Sequence, residues 1–302
     1  MQEITLKKCN LCPRMCGVDR RRMMGICRST HEMKIARAAL HFWEEPPISG
    51  KNGSGTVFFS GCNLGCVYCQ NRQISRGAVG KTVTPGELAE IFARLEREGA
   101  HNINLVTPTH FSLPITESVA VYRQKGGRLP VVYNTGGYER EEIIAFLKDT
   151  VDIYLTDLKY AEGASAARYS FAADYPETAR KALAKMVKTV GAPVFDEEGI
   201  LQKGVIVRLL VLPGIEHEAM MNLKYLKETF GDAVIVSLMN QYTPVGEELP
   251  PELQQPLEKA AYETAVAYAR KLNFKYAYIQ EGETAKESFI PPFLETESIK
   301  CE

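Results

Sequence analysis

Seven of the eight cysteines in the 302-residue chain lie within its first 69 residues, and they form two groups. Cys62, Cys66 and Cys69 stand at CxxxCxxC spacing in Gly61-Cys62-Asn63-Leu64-Gly65-Cys66-Val67-Tyr68-Cys69-Gln70-Asn71. Three thiolates on one short loop suit three corners of a cubane [4Fe-4S] cluster, because such clusters take cysteine ligands. No fourth cysteine stands nearby, which leaves one iron open to a substrate or cofactor. A zinc site completed by a distant residue is the competing reading, although zinc loops usually use CxxC pairs. The other group is Cys9, Cys12 and Cys16 in Cys9-Asn10-Leu11-Cys12-Pro13-Arg14-Met15-Cys16, with Cys27 following Gly25-Ile26. Four thiolates can close a complete site for structural zinc or a second iron–sulfur cluster. A metal clip ordering a small N-terminal lobe is preferred to an electron relay, and some of these thiols standing free is a third reading.

Disulfides are disfavoured. The N-terminus has no apolar h-region, so the chain is expected in the cytoplasm, where thiols stay reduced. Lys+Arg total 36 against 37 Asp+Glu, a net charge of -1, which argues against a strongly basic nucleic-acid protein. No apolar run approaches the roughly 18 residues of a membrane span. Hydrophobic content of 45% and charged content of 24% fit a globular chain with a substantial core.

The stretch Gly61–Asn71 resembles the signature of radical S-adenosylmethionine (SAM) enzymes, most of all the branch of pyruvate formate-lyase activating enzymes. The Cys-Xaa-Leu-Cys-Pro segment ahead of it resembles the PflX-like subgroup of those homologues. This resemblance implies a [4Fe-4S] cluster whose open iron is chelated by the amino and carboxylate groups of SAM, with the aromatic Tyr68 near the adenine. It implies reductive SAM cleavage, a 5′-deoxyadenosyl radical and hydrogen abstraction, in activating enzymes from a glycine of a glycyl-radical enzyme. An electron donor such as flavodoxin or ferredoxin is implied as well. The competing function is a non-catalytic iron–sulfur electron carrier or redox sensor, which would normally complete all four iron ligands. A zinc-stabilised binding module is the third class.

These residues need a scaffold, and the middle of the chain reads as βα units. Strands are expected at 56–60, 102–106, 130–133, 152–156, 204–211 and 233–238, with a final one at 276–279. Helices are expected at 85–97, 114–125, 139–148, 176–190, 216–230 and 252–272, the first opened by Thr84 and Pro85. Such alternation predicts an α/β fold with a parallel sheet and outer helices, either barrel or doubly wound. The resemblance implies a partial (β/α)6 barrel with a small Cys-rich extension. The expected divisions are a metal-binding extension over 1–50, a core over 51–245, and a C-terminal helix and tail over 246–302.

In parallel folds, chemistry collects at the carboxyl ends of the strands. There the sequence places Thr107-Pro108-Thr109-His110, Asn134-Thr135, Asp157-Leu158-Lys159, Arg208 and Gln241-Tyr242. Arginine inside an apolar strand is costly unless paired, so Arg208 is a candidate to fork onto a carboxylate. By the resemblance, Thr107–His110 stands where the family often has Gly-Gly-Glu-Pro for the SAM amino group. No carboxylate is present there, which leaves backbone carbonyls or Thr109 as acceptors. His110 is read as a proton donor or substrate contact, or as a plain turn residue. Asp157 and Lys159 match an Asp-Xaa-Lys that approaches SAM, with Lys159 suited to its carboxylate. Asn134-Thr135 resembles an Asp-Thr that helps form a monovalent cation site, weakened here by the amide. Gln241 and Tyr242 are candidates for ribose or substrate contact, against the commoner packed rim tyrosine. Arg20-Arg21-Arg22 is read as a solvated basic run in preference to a contact for an acidic partner protein.

Overall fold

The structure is a computed structural model, and it describes residues 3–77, 79–245, 248–280, Phe293 and Ile299. The chain runs through β1 (Met33–His41), α1 (Pro46–Ser49), β2 (Ser54–Phe59), α2 (Arg72–Ser75), β3 (Lys81–Val83), α3 (Pro85–Arg97), β4 (Ile103–Val106) and α4 (Ser112–Gln124). It continues through β5 (Val131–Thr135), α5 (Glu141–Phe146), β6 (Ile153–Asp157), α6 (Gly163–Ser170), α7 (Tyr175–Val190), β7 (Val194–Phe195) and β8 (Leu201–Leu210). The last described elements are α8 (Glu216–Phe230), β9 (Ile235–Met239), α9 (Lys259–Leu272) and β10 (Ala277–Ile279).

The strands form one sheet in the order β10-β9-β8-β6-β5-β4-β2-β1-β3, with β7 paired off this path to β8. From β2 to β10 every neighbouring pair along that path is parallel. The expected α/β class is therefore what the structure shows. Central strands such as β2, β4 and β5 are buried along their whole length, as parallel strands under helices must be. The sheet curls: Phe58, Val106, Asn134, Arg208, Ser237 and Met239, from five different strands, face one cavity. Among the described residues, no helix is long and apolar enough to cross a membrane.

Local signals explain where the elements start. In α3, Thr84 accepts from the Glu87 N–H while Glu87 reaches back to the Thr84 N–H, and Pro85 occupies the first turn. Leu88, Ile91, Phe92 and Leu95 then fall on one stripe and are buried. The helix expected over 252–272 begins only at Lys259, because Pro256 would lack an N–H and clash with the preceding turn. The boundary drawn at residue 50 falls beyond β1, which pairs antiparallel with β2 and carries β3 on its far side. The Ala-rich sequence MKIARAALH has few β-branched residues to announce a strand. Of the C-terminal tail and Cys301, only Phe293 and Ile299 lie within the described residues.

Candidate functional site

The CxxxCxxC loop leaves the carboxyl end of β2 through Gly61, whose φ is +91°. A Cβ there would come within 2.6 Å of the Cys27 carbonyl oxygen, so only glycine lets the loop pass the N-terminal segment this closely. The Cys62 N–H donates to the Cys27 carbonyl at 3.1 Å, and the Val67 N–H donates to the Tyr169 carbonyl at 2.9 Å. Asn63 donates to the Tyr138 carbonyl at 2.8 Å. Arg14 ties the loop down from the N-terminal side, donating to the carbonyls of Asn63 at 2.8 Å, Leu64 at 3.0 Å and Ser170 at 2.9 Å, and also to Phe171.

The three thiols of this loop are half-buried and unbridged. Burial, reinforced by the charges of Cys66 and Cys69, pushes the Cys62 thiol up to about 12. Burial and then Cys66 also push Cys69 up, while Lys159 pulls against them. Three thiolates this close repel one another, and a bound cationic centre would relieve that repulsion. The donor set and its placement therefore fit an iron–sulfur cluster.

Beside the loop runs a ladder of alternating charge. Lys159 is paired with Asp157, and the Arg208 Nε donates to Asp157 Oδ1 at 2.8 Å. Arg208 Nη2 donates to Asn134 Oδ1 at 2.6 Å, and Nη1 lies 3.5 Å from Glu44 Oε2. Asn104 and Asn134 donate to the other Glu44 oxygen at 3.0 and 3.3 Å. Burial works against the charges of Arg208 and Lys159, but the acids around them outweigh it and raise both. Burial alone would raise Asp157, yet Arg208 and Lys159 hold it below the usual carboxylate range. Arg208, Asn134, Glu44 and Glu45 line a cavity of about 420 Å³. The amide at Asn134, expected to weaken a cation site, instead holds the guanidinium of Arg208 next to Asp157.

Not every expected residue reaches this cavity. Asn134 shares the inner face of β5 with Val132, whereas Thr135 lies on the opposite face by strand alternation. Thr135 and Thr109 both donate to Glu139 Oε1. Burial pushes the Glu139 carboxyl up to about 7, although the two threonines act to lower it. Thr107 holds a left-handed φ of +59°, a strained position for a β-branched residue at the end of β4. Tyr68 is buried, with its hydroxyl 2.9 Å from that of Tyr160 and its ring edge-on to Tyr242 at 6.3 Å.

His110 does not face the cavity either. Its Nε2 lies 2.8 Å from the Ser60 carbonyl, and burial, followed by Arg20, pushes it down to about 3. It is neutral near pH 7 and braces the strand before the cysteine loop. Arg20 corrects the reading of a solvated basic run. It is fully buried and donates to the carbonyls of Ser29, Thr30 and His110. The glycine-turned N-terminal segment, with the Gly17 N–H bonded to the Cys9 carbonyl at 3.0 Å, needs this arginine to satisfy its inward carbonyls.

The four N-terminal cysteines are neighbours, Cys12 being raised by Cys27 and Cys9, and Cys27 by Cys9 and Cys16, but no three of their sulfurs lie mutually within 4.8 Å. Cys9, Cys12 and Cys27 are buried and Cys16 is half-buried. A Cβ on Gly25 would lie 3.4 Å from both Cys16 Sγ and Cys27 Sγ. Burial pushes Cys12 up to about 12, with added repulsion from Cys27, Glu139 and Cys9. This donor set too fits a metal. Glu44, Glu45 and Glu139 went unnoticed in the sequence, where an acid pair before Pro46-Pro47 and a single acid after Gly136-Gly137-Tyr138 look like ordinary surface loops.

Residues 56–223 match the sequence profile of the family described as the Radical SAM superfamily. An uncharacterized protein of Methanocaldococcus jannaschii is 31% identical over 283 residues, covering 90% of this chain and 77% of that protein. Streptococcus suis SuiB bound to S-adenosylmethionine superposes with a TM-score of 0.50 at 10% identity, over 74% of this chain and 49% of that one. SuiB bound to the precursor peptide SuiA gives a TM-score of 0.51 at 11% identity, over 74% of this chain and 47% of that one. The chain thus spans about half the length of the SuiB chains, and the likeness is one of fold.

Proposed function

The chain belongs to the radical SAM superfamily, and from that premise we propose that Cys62, Cys66 and Cys69 hold a [4Fe-4S] cluster at which SAM is reductively cleaved. When bound, the cluster supplies the electron that breaks the sulfonium bond, releasing methionine and a 5′-deoxyadenosyl radical that abstracts hydrogen from substrate. The residues of this chain bind and orient. Lys159 faces Cys66 and Cys69 and uses one of its three donors on Asp157, so its others meet the SAM carboxylate. Arg208 is held on three sides and fixes Asp157 and Asn134 at the same mouth. Tyr68 borders the adenine, and the left-handed Thr107 presents its backbone to the amino group. The observation that carries this reading is the set of three mutually repelling thiols beside the Lys159–Asp157–Arg208 ladder at the carboxyl ends of the strands.

The PflX-like resemblance supports a finer reading, in which the substrate is a glycine of a partner polypeptide in a glycyl-radical enzyme. The cavity beneath the ladder, open to Gln241 and Gln280, gives a peptide backbone amide partners. A precursor peptide bound by SuiB, of similar fold, agrees with a polypeptide substrate. In this reading the four N-terminal cysteines hold structural zinc or a second iron–sulfur cluster. The chain works in the reducing cytoplasm with a flavodoxin or ferredoxin as donor.

The test is anaerobic reconstitution, reduction with dithionite and quantitation of 5′-deoxyadenosine from SAM. We expect about four core irons per chain and product that depends on both SAM and reductant. An intact cluster giving no product with several reductants would leave an electron carrier instead. For the finer reading, a glycyl-radical partner with α-deuterated glycine should pass deuterium into 5′-deoxyadenosine.

A further inference from the structure

Cys66 is bonded by a buried serine that is itself backed by two tyrosines, whereas Cys62 accepts from the Leu64 N–H and Cys69 is bonded by Ser75. Ser170 ends α6, is fully buried, and places its Oγ 2.9 Å from Cys66 Sγ. The same Oγ lies 2.7 Å from the Tyr160 hydroxyl, which lies 2.9 Å from the Tyr68 hydroxyl. Tyr68 and Tyr160 are buried as well, so the three hydroxyls depend on one another and not on bulk water. The direction of the bonds follows from proton counting. As a metal ligand, Cys66 is a thiolate and can only accept. The single Ser170 proton therefore goes to sulfur, which obliges Tyr160 to donate to Ser170 and Tyr68 to donate to Tyr160.

The chain is also held in place. The Val67 N–H is bonded to the Tyr169 carbonyl at 2.9 Å, and Arg14 binds the carbonyls of Ser170 and Phe171 while gripping those of Asn63 and Leu64. Phe171 closes α6 in the left-handed conformation, which turns the chain away directly after Ser170. The serine thus has little freedom to leave the sulfur.

We propose that Ser170, backed by Tyr160 and Tyr68, is a positioning residue that raises the reduction potential of the cluster by donating a hydrogen bond to the Cys66 thiolate. Reduction adds one electron and makes the ligand sulfurs more negative. A donor on sulfur therefore stabilises the reduced state more than the oxidised one. Aligned hydroxyls polarise one another and strengthen the terminal bond. The inference rests on the reading that Cys62, Cys66 and Cys69 hold the cluster.

The experiment is a potentiometric titration of the reconstituted full-length protein without SAM, with the reduced cluster followed by EPR. Ser170→Ala should lower the ratio of reduced to oxidised cluster at a fixed potential about tenfold, equal to about 59 mV for one electron. Tyr160→Phe keeps the serine donor and removes its reinforcement, so its shift should have the same sign and be smaller. In deuterated buffer, pulsed EPR should find an exchangeable deuteron coupled to the cluster in the wild type and lose it in Ser170→Ala. A fully loaded Ser170→Ala protein with the wild-type midpoint and the same deuteron coupling would overturn the proposal. Should Ser170→Ala fail to fold or load, a loaded Tyr160→Phe protein with an unshifted midpoint overturns it equally. A wild-type chain that takes up no core cluster would sink the parent reading instead, which separates the two failures.

Discussion

The two cysteine sites differ in the number of thiols they gather, although a backbone hydrogen bond from Cys62 to Cys27 joins them. The N-terminal segment gathers four thiols in one neighbourhood, three of them buried, with Glu139 adding repulsion at Cys12. The core loop brings three half-buried thiols to the end of the sheet, where Lys159, itself paired with Asp157, pulls down Cys69. A site with all its ligands inside the protein is built to be kept. A site that stops one ligand short, with Lys159 at its side, is built to be completed by something else. The same residue type thus serves two ends according to its count and the charge facing it.

Substituting the cysteines should break this comparison most sharply. Cys66→Ala is expected to abolish 5′-deoxyadenosine formation and core iron while leaving the melting temperature within a few degrees. Cys12→Ala should do the reverse: loss of the N-terminal metal and a fall in melting temperature of roughly 10 °C. Metal analysis, melting curves and product assays on both variants check it. Equal effects of the two on stability would show that the sites are not divided in this way.

The ladder comes next. Arg208→Ala takes the guanidinium from half-buried Asp157 and Glu44, but Lys159 stays on Asp157 and two asparagines stay on Glu44, so the cost should fall below about 3–5 kcal/mol, that of a broken buried pair. Lys159→Met removes the cation beside the cysteine loop and leaves Asp157 to Arg208, while a methionine fills the same space. We expect Lys159→Met to raise the KM for SAM at least tenfold, with the N-terminal metal fully retained. A KM equal to wild type would remove Lys159 from the SAM carboxylate.

Much of this division is legible in the residues. CxxxCxxC and the four earlier cysteines stand out by spacing, and α3 and α8 run over the expected residues because Thr84, Pro85 and the flanking glycines mark their ends. Asp157, Lys159 and Arg208 are visible because charge at the end of an apolar strand needs a reason. Glu44, Glu45 and Glu139 are not visible, because their role comes from tertiary placement: an acid before a proline pair looks solvated until the chain folds it under a barrel. Arg14 and Arg20 are hidden for the same cause. Their partners are backbone carbonyls, which every residue has, so no sequence pattern announces them.

Arg14 is the residue that couples the two regions. It leaves the N-terminal segment between Cys12 and Cys16, stacks over Tyr138 at 5.2 Å and binds carbonyls on both the core loop and α6. Arg14→Ala should cost about 1–3 kcal/mol, the range for buried acceptors left without donors. It should also speed iron loss from the core cluster to a chelator several-fold, with the N-terminal metal unaffected. Arg14→Lys should restore little, since one ammonium cannot reproduce the fork. Iron release at the wild-type rate would leave the N-terminal segment as a neighbour of the loop and not its support.

The smallest expected effect concerns the seam between the regions. Burial raises Glu139 to about 7, above the value near 4.5 that a carboxyl has in an unfolded chain. Between those two values the native protein holds a proton that the unfolded chain has released, so the native state binds more protons. Stability from this group is therefore fully present below about pH 4.5 and is lost as pH rises through 7. His110, pushed down to about 3 by burial, acts in the opposite sense and loses stability as pH falls below about 6.5. The two slopes partly cancel in the wild type, so the melting curve alone hides both. The difference between wild type and Glu139→Gln isolates one of them, because His110 is common to both proteins. From pH 5 to pH 8 the variant should gain on the wild type by on the order of 2 kcal/mol, measured by urea unfolding with both metal sites loaded. A difference that does not change with pH would mean that Glu139 is ionised across the range. The carboxylate would then sit as a charge beside Cys12, and the four-thiol site would be less apolar than its burial implies.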